Sequence, residues 1–195
     1  MKINENFLKI ESSYLFSTVA KKQREYQAAH PEADVIRLSI GDVTKPLAPA
    51  VIKAMHKAVD EMADALSDVD YDIVVAPESR GFIFGVPIAY NLHKPFVPIR
   101  KKGKLPRETV SVSYDLEYGS AEIEMHKDSI KPGQKVVLID DLIATGGSVE
   151  AAIKLVEELG GIVVKVVFLM ELAGLKGRER LKGYDVASVI RYDGK

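Results

Sequence analysis

The sequence predicts an α/β fold with a central, mostly parallel β-sheet, flanking helices, a β-hairpin flap and a helical N-terminal extension. From Asp72 onward, runs rich in β-branched residues alternate with segments of helical periodicity, which is the order typical of a parallel sheet covered by helices. The run 136–139 is apolar on both faces, as a central parallel strand is. A length of 195 residues is sufficient for one substantial domain with a buried core.

Five core strands and two core helices are expected from this alternation. The strands cover residues 73–76, 96–99, 136–140, 162–169 and 186–190, and the helices cover residues 81–92 and 148–159. In the second helix, apolar residues from Val149 to Leu159 recur at helical spacing. Ser148 is its expected N-cap, and Gly160-Gly161 is expected to end it.

Two further helical patterns precede the first core strand. Apolar residues at helical spacing, from Ile52 to Leu66, predict an amphipathic helix that begins near Pro49. Residues 7–29 show a looser helical pattern that ends before Pro31. The simplest interpretation is that both helices pack on the sheet.

Residues 109–126, TVSVSYDLEYGSAEIEMH, interrupt the alternation of strands and helices. Their period-two patterning on both sides of a turn at residues 117–120 predicts a β-hairpin. Because the hairpin is inserted between two buried strands, we expect it to lie over the edge of the sheet. It is either an inert hairpin or a flap that covers a binding site.

Composition and charge exclude several classes of function. The net charge of −1 provides no overall attraction to nucleic acid or to anionic lipid. The absence of cysteine excludes disulfides and thiolate chemistry and is typical of a reducing compartment. No apolar run approaches the roughly 20 residues that span a bilayer, and the first ten residues lack the apolar core of a secretory signal. We therefore expect a cytoplasmic protein without a membrane or nucleic-acid partner.

Residues 136–148, VVLIDDLIATGGS, combine a buried strand, two adjacent carboxylates and a loop of small residues. Ligands of open α/β sheets bind beyond the carboxyl ends of the strands, where Asp140 and Asp141 are expected. The next residues lead into a helix, whose free N–H groups and positive dipole attract a monophosphate. Paired carboxylates accept hydrogen bonds from vicinal sugar hydroxyls. The motif therefore predicts a sugar-phosphate site, with the phosphate held by Ala144, Thr145, Gly146, Gly147 and Ser148.

Other interpretations of this motif account for less of it. An acidic turn before an N-capped helix explains one aspartate, but neither the second aspartate nor the paired glycines. A nucleoside triphosphate loop requires a lysine after the glycines, and a dinucleotide site requires G-x-G-x-x-G; neither pattern is present here.

The motif resembles the phosphoribosyl diphosphate motif of type I phosphoribosyltransferases. The stretches APESRGFIFG (76–85), VPIRKKGKLP (97–106), SYDLEYGSAEIEMHKDSIKPGQ (113–134) and LAGLKGRERLKGYDV (172–186) resemble the adenine branch of that family. The resemblance extends from about residue 58 to residue 190. It implies the type I phosphoribosyltransferase fold and the transfer of ribose 5-phosphate from phosphoribosyl diphosphate to adenine, which gives AMP and diphosphate. It also implies Mg²⁺, carried mainly by the substrate, and a homodimer.

The resemblance also implies roles for individual residues. Asp140 and Asp141 would bind the ribose, and the loop 144–148 its 5-phosphate. Glu117, in the flap, would exchange a proton with the purine, and Tyr118 would help the flap to cover the site. The diphosphate would be bound by basic side chains at two strand ends, namely Arg80, Arg100, Lys101 and Lys104.

The front of the chain resembles a different family. Residues 1–63 are similar to the N-terminal segment of LL-diaminopimelate aminotransferase, a pyridoxal-phosphate enzyme whose cofactor lysine lies in a domain that this sequence does not contain. We therefore expect a chimera or fusion, with an atypical arm at residues 1–57 and a phosphoribosyltransferase core at residues 58–195. Ile40 and Gly41 occupy positions where an aromatic and a basic residue are expected in the hood over adenine. The sequence thus predicts weakened binding of the base.

Two alternatives remain open from the sequence. One is a non-enzymatic protein that binds phosphoribosyl diphosphate or nucleotides, since the same fold occurs in purine-responsive repressors. Against a repressor, residues 1–66 contain as many acidic as basic residues, so sustained affinity for nucleic acid is not expected. The other is that residues 1–57 form an interaction arm, which docks a partner or a second copy while the core carries out the chemistry.

Overall fold

The computed structural model describes residues 15–35, 45–115 and 120–194. The chain divides into two compact units, Met1–Pro46 and Leu47–Lys195. Helix α1, Leu15–Ala29, belongs to the first unit. The turn after it is closed by a hydrogen bond of 2.9 Å from Gln27 Nε2 to the Ala33 carbonyl. The predicted helix at residues 7–29 is therefore confirmed over its described part.

The second unit begins with helix α2, Pro49–Asp64, which has its proline in the first turn, where a missing N–H costs nothing. Met62 and the following Leu66 are buried, whereas Ile52 and Met55 remain exposed. Only the C-terminal half of the predicted amphipathic face is therefore buried. Helix α2 is continuous across position 57, and the division into two compact units falls between Pro46 and Leu47. The domain boundary at 57/58 stays a prediction.

A seven-stranded sheet forms the centre of the second unit. Its strands are β1 (Ile73–Pro77), β2 (Phe96–Lys101), β3 (Thr109–Asp115), β4 (Ser120–His126), β5 (Lys135–Ile143), β6 (Ile162–Leu172) and β7 (Val186–Tyr192). Their order across the sheet is β3-β4-β2-β1-β5-β6-β7. The five strands from β2 to β7 in this order are mutually parallel, whereas β4 runs antiparallel to both β2 and β3. The predicted fold class, the five core strands and the hairpin are all confirmed.

The two faces of the sheet bury separate apolar clusters, because successive residues of a strand point to opposite faces. Val75 and Leu138 belong to the cluster that contains helix α4 (Gly147–Glu158). Val74 and Ile139 belong to the cluster that contains α2 and helix α3 (Arg80–Asn91). Within the described residues, none of the helices has the length and apolar composition needed to cross a membrane.

The ends of α4 differ in how well the sequence predicts them. The C-terminal end is as expected: the N–H of Gly160 donates to Glu157 O over 2.9 Å, and that of Gly161 to Val156 O over 3.0 Å, which is the Schellman arrangement. The expected N-cap, Ser148, was wrong. The N-cap is Gly146, whose φ of 82° lies in the left-handed region that glycine adopts without strain.

The strand order creates a crevice at one end of the sheet. From β1 the chain passes through α3 to β2 on one side, whereas from β5 it passes through α4 to β6 on the other side. The direction of strand addition therefore reverses between β1 and β5. Ligands of open α/β sheets bind outside the carboxyl ends of the strands at such a switch point. The residues after β1 and at the end of β5 are thus the structural candidates for the site.

Candidate active site

The two predicted carboxylates lie in β5, beside the N-terminal end of α3. β5 extends beyond them because it stays paired with β6 as far as Ile143 and Glu171. The backbone N–H of Asp141 donates to Asp140 Oδ1 over 2.9 Å. A Cβ atom on Gly81 would lie 3.0 Å from the same oxygen, so the glycine allows α3 to approach the carboxylate closely.

Asp140 is the more perturbed of the two carboxylates. Burial is the main cause that raises its pKa to about 7, and the charge of Asp141 acts in the same direction, while Arg80 opposes both. Near neutral pH the Asp140 carboxyl can therefore either donate or accept a hydrogen bond. That property suits a partner such as a sugar hydroxyl, which does both.

Arg80 connects the end of β1 with the carboxylate pair. Its Nε donates to Asp141 Oδ2 over 2.5 Å, and its side chain remains 68% exposed. A guanidinium has five N–H donors, and this contact involves Nε alone. The terminal nitrogens of Arg80 can therefore bind an anion while Asp141 holds the side chain in place.

The other predicted basic residues gather around Glu78, a residue that the sequence analysis did not identify. Arg100 Nε donates to Glu78 Oε2 over 2.9 Å, and Lys104 Nζ donates to Glu78 Oε1 over 2.7 Å. Lys101 donates only its backbone N–H to this carboxylate, over 3.1 Å, and its side chain is exposed. The hydrogen bond from Lys104, supported by Arg100 and opposed by burial, lowers the pKa of Glu78 to about 2.

Glu78 therefore organises a cationic corner of the crevice. Glu78 directly follows β1, just as the carboxylate pair follows the buried part of β5. Its position at the end of a strand was the sequence signal that could have identified it as a candidate site residue. The cations that would bind a diphosphate are already held by a carboxylate. An anion that binds there interacts with side chains whose positions are fixed, which lowers the ordering cost of binding.

A second missed carboxylate, Glu124, supports the same corner. It lies on β4, is only 4% exposed, and its Oε1 accepts the backbone N–H groups of Lys104 and Leu105, each over 2.9 Å. Burial raises the pKa of Glu124, but hydrogen bonds from the backbone N–H groups of this loop outweigh it and keep the pKa below its usual range. Glu124 thus fixes the loop from which Lys104 reaches Glu78.

The predicted phosphate loop, residues 144–148, runs from the end of β5 into the first turn of α4. Gly146 is buried and has a φ of 82°, and a Cβ atom there would lie 2.7 Å from the carbonyl oxygen of Gly177. Thr145 is exposed, and Ser148 is the second residue of α4 rather than its cap. The first N–H groups of an α-helix have no acceptor within the helix and favour an anion. The loop and the N-terminal end of α4 thus have the properties of a phosphate site.

The hairpin extends the edge of the sheet instead of lying over it as expected, because β4 pairs with β2 and β3 pairs with β4. Val110, Val112 and Tyr114 of β3 pack on the cluster that contains α4. Burial raises the pKa of Tyr114, and the charge of Asp140 adds to this effect. The flap strand therefore lies within electrostatic range of Asp140, and Tyr114 is a candidate site residue that the sequence did not indicate. The predicted Glu117 and Tyr118 lie outside the described residues.

The carboxylate pair matches the small share of ligands that a protein supplies to a Mg²⁺ ion held mainly by its substrate. Within residues 15–35, 45–115 and 120–194, no three histidine or acidic side chains are close enough to hold a metal ion. Mg²⁺ commonly takes one or two carboxylates, several waters and phosphate oxygens of the substrate. The Asp140 and Asp141 carboxylates can supply that small share of the ligands.

Comparisons with known proteins agree with this geometry. A family model described as phosphoribosyl transferase domain matches residues 48–192, so the chain belongs to the phosphoribosyltransferase family. The adenine phosphoribosyltransferase of Lachnoclostridium phytofermentans is 62% identical over 175 residues, which is 90% of this chain and 99% of that protein. By this similarity the chain is placed among the adenine phosphoribosyltransferases.

Two solved structures show the same fold. The adenine phosphoribosyltransferase of Thermoanaerobacter pseudethanolicus has a TM-score of 0.71 and 52% identity, and the match covers 72% of this chain and 82% of that chain. The Saccharomyces cerevisiae enzyme has a TM-score of 0.65 and 41% identity, with 73% and 81% covered. That structure contains adenine and D-2,5-dideoxy-2,5-imino-altritol 1,6-bisphosphate.

The predicted aminotransferase origin of residues 1–63 receives no support from these comparisons. The Lachnoclostridium relative aligns with 90% of the chain, so its alignment has to enter residues 1–57. The sequence predicted that the likeness to phosphoribosyltransferases is confined to residues 58–195. The alignment shows instead that it extends into residues 1–57. Ile40 and Gly41, the positions at which a departure was expected, lie outside the described residues.

Proposed function

We propose that the chain transfers ribose 5-phosphate from phosphoribosyl diphosphate to adenine, giving AMP and diphosphate in purine salvage. The observation that carries this proposal is the carboxylate pair Asp140 and Asp141, which lies next to a glycine loop at the switch point of the sheet. Membership of the adenine phosphoribosyltransferases supports the choice of base.

In this reaction the bond from the anomeric carbon to the diphosphate oxygen breaks, and a bond from that carbon to a purine nitrogen forms. The leaving diphosphate carries away the bonding electrons, so its growing charge needs cations in fixed positions. Arg80, Arg100 and Lys104 are the cations proposed for this role, with the exposed Lys101 beside them. Asp140 and Asp141 would hold the ribose hydroxyls, and the residues 144–148 would hold the 5-phosphate.

The flap would exclude water and accept the proton that the purine loses. We propose Glu117 for this proton exchange and Tyr118 for covering the site. The support is the position of β3, which brings Tyr114 into electrostatic range of Asp140. Exclusion of water protects the cationic sugar and raises the pKa of a glutamate nearby, which suits proton exchange.

Mg²⁺ is proposed as the cofactor, and Asp140 or Asp141 would help to hold it together with the substrate. When bound, it would neutralise part of the charge that develops on the leaving diphosphate. The side chains of this chain would then need to orient the substrate rather than to hold a resident metal.

The cytoplasmic location expected from the composition stays a prediction.

The test is an assay of diphosphate release with adenine, hypoxanthine, guanine and orotate at saturating phosphoribosyl diphosphate and Mg²⁺. We expect adenine to give the highest kcat/KM by about 100-fold or more, because a site that binds a base through hydrogen bonds rejects bases lacking the matching groups. Equal rates with all four bases would contradict the assignment of the base. Tight binding of phosphoribosyl diphosphate without any release would support the non-enzymatic alternative, which the comparisons do not favour.

How tightly adenine binds is a separate proposal that concerns the hood. Ile40 replaces an expected aromatic residue, and stacking of a base on an aromatic side chain is worth about 1 to 3 kcal/mol in nucleic-acid complexes. We expect Ile40→Phe to lower the KM for adenine by about tenfold without changing the KM for phosphoribosyl diphosphate. If Ile40→Phe leaves the KM for adenine unchanged, residue 40 does not contact the base.

A homodimer is also proposed. Three apolar side chains on one face of α3 are exposed, namely Ile83 at 48%, Val86 at 45% and Tyr90 at 79%. They are spaced to form a single stripe along the helix, which a second copy of the chain would cover. Light scattering of the purified chain should give twice the monomer mass, and Tyr90→Lys should reduce the measured mass to that of one monomer. Monomer mass for the unmodified chain would contradict the proposal.

A further inference from the structure

The segment between β6 and β7 packs directly against the phosphate loop. It consists of two short 3-10 helices, Ala173–Leu175 and Gly177–Leu181, which we term together the brace segment. A Cβ atom on Gly177 would overlap the carbonyl oxygen of Ala144 and would lie 2.8 Å from Cγ1 of Ile143. In turn, a Cβ atom on Gly146 would lie 2.7 Å from the Gly177 carbonyl oxygen. The two backbones therefore touch with no side chain between them.

Arg178, the residue after Gly177, ties the brace segment to the sheet. Its Nε donates to both carboxylate oxygens of Glu171, each over 2.8 Å. Its Nη1 donates to the carbonyl of Val186 over 2.7 Å, and its Nη2 to the Ser188 hydroxyl over 2.9 Å. One guanidinium thus connects the segment to β6 and to β7 at the same time.

The acceptor of this guanidinium is itself fixed. Glu171 is only 4% exposed, and the Ser188 hydroxyl donates to its Oε2 over 2.7 Å. Burial raises the pKa of Glu171, but the hydrogen bonds from Ser188 and Arg178 outweigh it and keep the pKa below its usual range. A buried carboxylate with its hydrogen bonds satisfied is a rigid anchor, because releasing it would leave an unpaired buried charge.

The far end of the brace segment is held as well. Leu181 is 2% exposed and belongs to the cluster that contains α4. Arg180 Nη1 donates to Glu150 Oε2 of α4 over 3.1 Å. Both the loop before α4 and the first turns of α4 are therefore in contact with the segment.

We propose that Arg178 is a positioning residue, which acts through Gly177 to hold the phosphate loop 144–148 in the geometry that binds the 5-phosphate. The proposal rests on the proposed function. The left-handed Gly146 has no side chain that could rotate to absorb a movement of Gly177, so a displacement of the brace segment passes straight to the loop. The LKGRERLKG sequence thus has a role in phosphate binding although it lies outside the phosphate motif.

Gly177→Ala tests the proposal by adding one methyl group between the two backbones. We expect the KM for phosphoribosyl diphosphate and the Kd for AMP to rise by about tenfold or more, because a displacement near 1 Å in a binding site can cost about 100-fold. The KM for adenine should change by less than about twofold, because adenine has no phosphate. Gly194→Ala, where an added Cβ meets nothing within 4 Å, is the matched control and should change neither constant.

Arg178→Lys is the second variant, in case Gly177→Ala does not fold. It keeps a positive charge against Glu171 but cannot reach Glu171, Val186 and Ser188 together. The same split between the two substrates is expected, with a smaller rise. A folded Gly177→Ala, or failing that a folded Arg178→Lys, with an unchanged KM for phosphoribosyl diphosphate would overturn the proposal. So would an equal rise in both KM values, which indicates a general structural effect.

Calorimetry with AMP separates this proposal from the proposed function. If the unmodified chain binds AMP but forms none from adenine, the proposed function fails, and the effect of Gly177→Ala on AMP binding still tests the brace segment. If the chain synthesises AMP and the variants bind AMP like the unmodified chain, the inference about Arg178 fails alone.

Discussion

Replacing Asp140 with Asn removes a carboxyl whose charge is costly in the native protein. Burial raises the pKa of Asp140 from the ordinary 3.8 to about 7. The native state therefore keeps a proton that the unfolded chain has already released, and the free energy of unfolding falls as pH rises from about 4 to about 7. Each pKa unit of difference between the folded and unfolded states corresponds to about 1.36 kcal/mol, so the free energy of unfolding falls by about 4 kcal/mol in total.

The Asp140→Asn variant would have no such dependence. The amide oxygen of the new side chain can still accept the hydrogen bond from the Asp141 N–H, so Asp140→Asn changes the charge and little else. In urea unfolding without substrate or metal, the variant should gain about 2 kcal/mol over the unmodified chain between pH 5 and pH 7 and almost nothing more above pH 7.5. Asp68→Asn, at an exposed carboxylate, is the control and should stay within about 0.5 kcal/mol throughout. A difference that is the same at every pH would refute the reasoning.

Three further predictions concern the supports of the site. Glu78→Gln should cost about 2 kcal/mol of unfolding free energy at pH 7. This loss should shrink as pH falls from 4.5 towards 2, because the lowered pKa of Glu78 stabilises the fold only above that range. A loss in urea unfolding that stays constant down to pH 3 would contradict this prediction. Glu124→Ala should cost about 2 kcal/mol by the same method, and Glu124→Gln less than half of that, because one amide oxygen can accept both N–H groups that Glu124 Oε1 binds; equal losses would contradict the anchoring role. Gly85→Ala would bring its Cβ within 2.8 Å of the Ala76 Cβ, so thermal unfolding should show a loss of about 1 to 3 kcal/mol, and an unchanged Tm would show that α3 can move away from β1.

The strands and helices were largely predictable because each has a local pattern. The buried strands are continuous β-branched runs, and α4 carries an apolar stripe and a glycine stop. The prediction ended β5 at Asp140 because the apolar run 136–139 ends there. The strand continues to Ile143 because β6 supplies partners beyond that point, which the local pattern does not record.

Where one segment carries the residues, as in the carboxylate pair and the glycine loop, the sequence predicted which residues of the candidate site lie together; their roles stay predictions. The site was not predictable where residues far apart in sequence meet. Glu78 pairs with Lys104, 26 residues away, and nothing near Glu78 in the sequence indicates this pairing. Likewise Ser148 is a good N-cap by residue type, but the cap at Gly146 is decided by Gly177, which requires a glycine opposite it.

The central claim is that Asp140, Asp141 and the loop 144–148 together bind one ribose 5-phosphate. Calorimetric titration of the unmodified chain with AMP and with adenosine tests it most directly, because the two ligands differ only in the 5-phosphate. We expect AMP to bind about 100-fold more tightly or better, with the difference reduced in Gly177→Ala, since charge-assisted hydrogen bonds to a phosphate are the strong ones. Equal affinities for AMP and adenosine would contradict the claim.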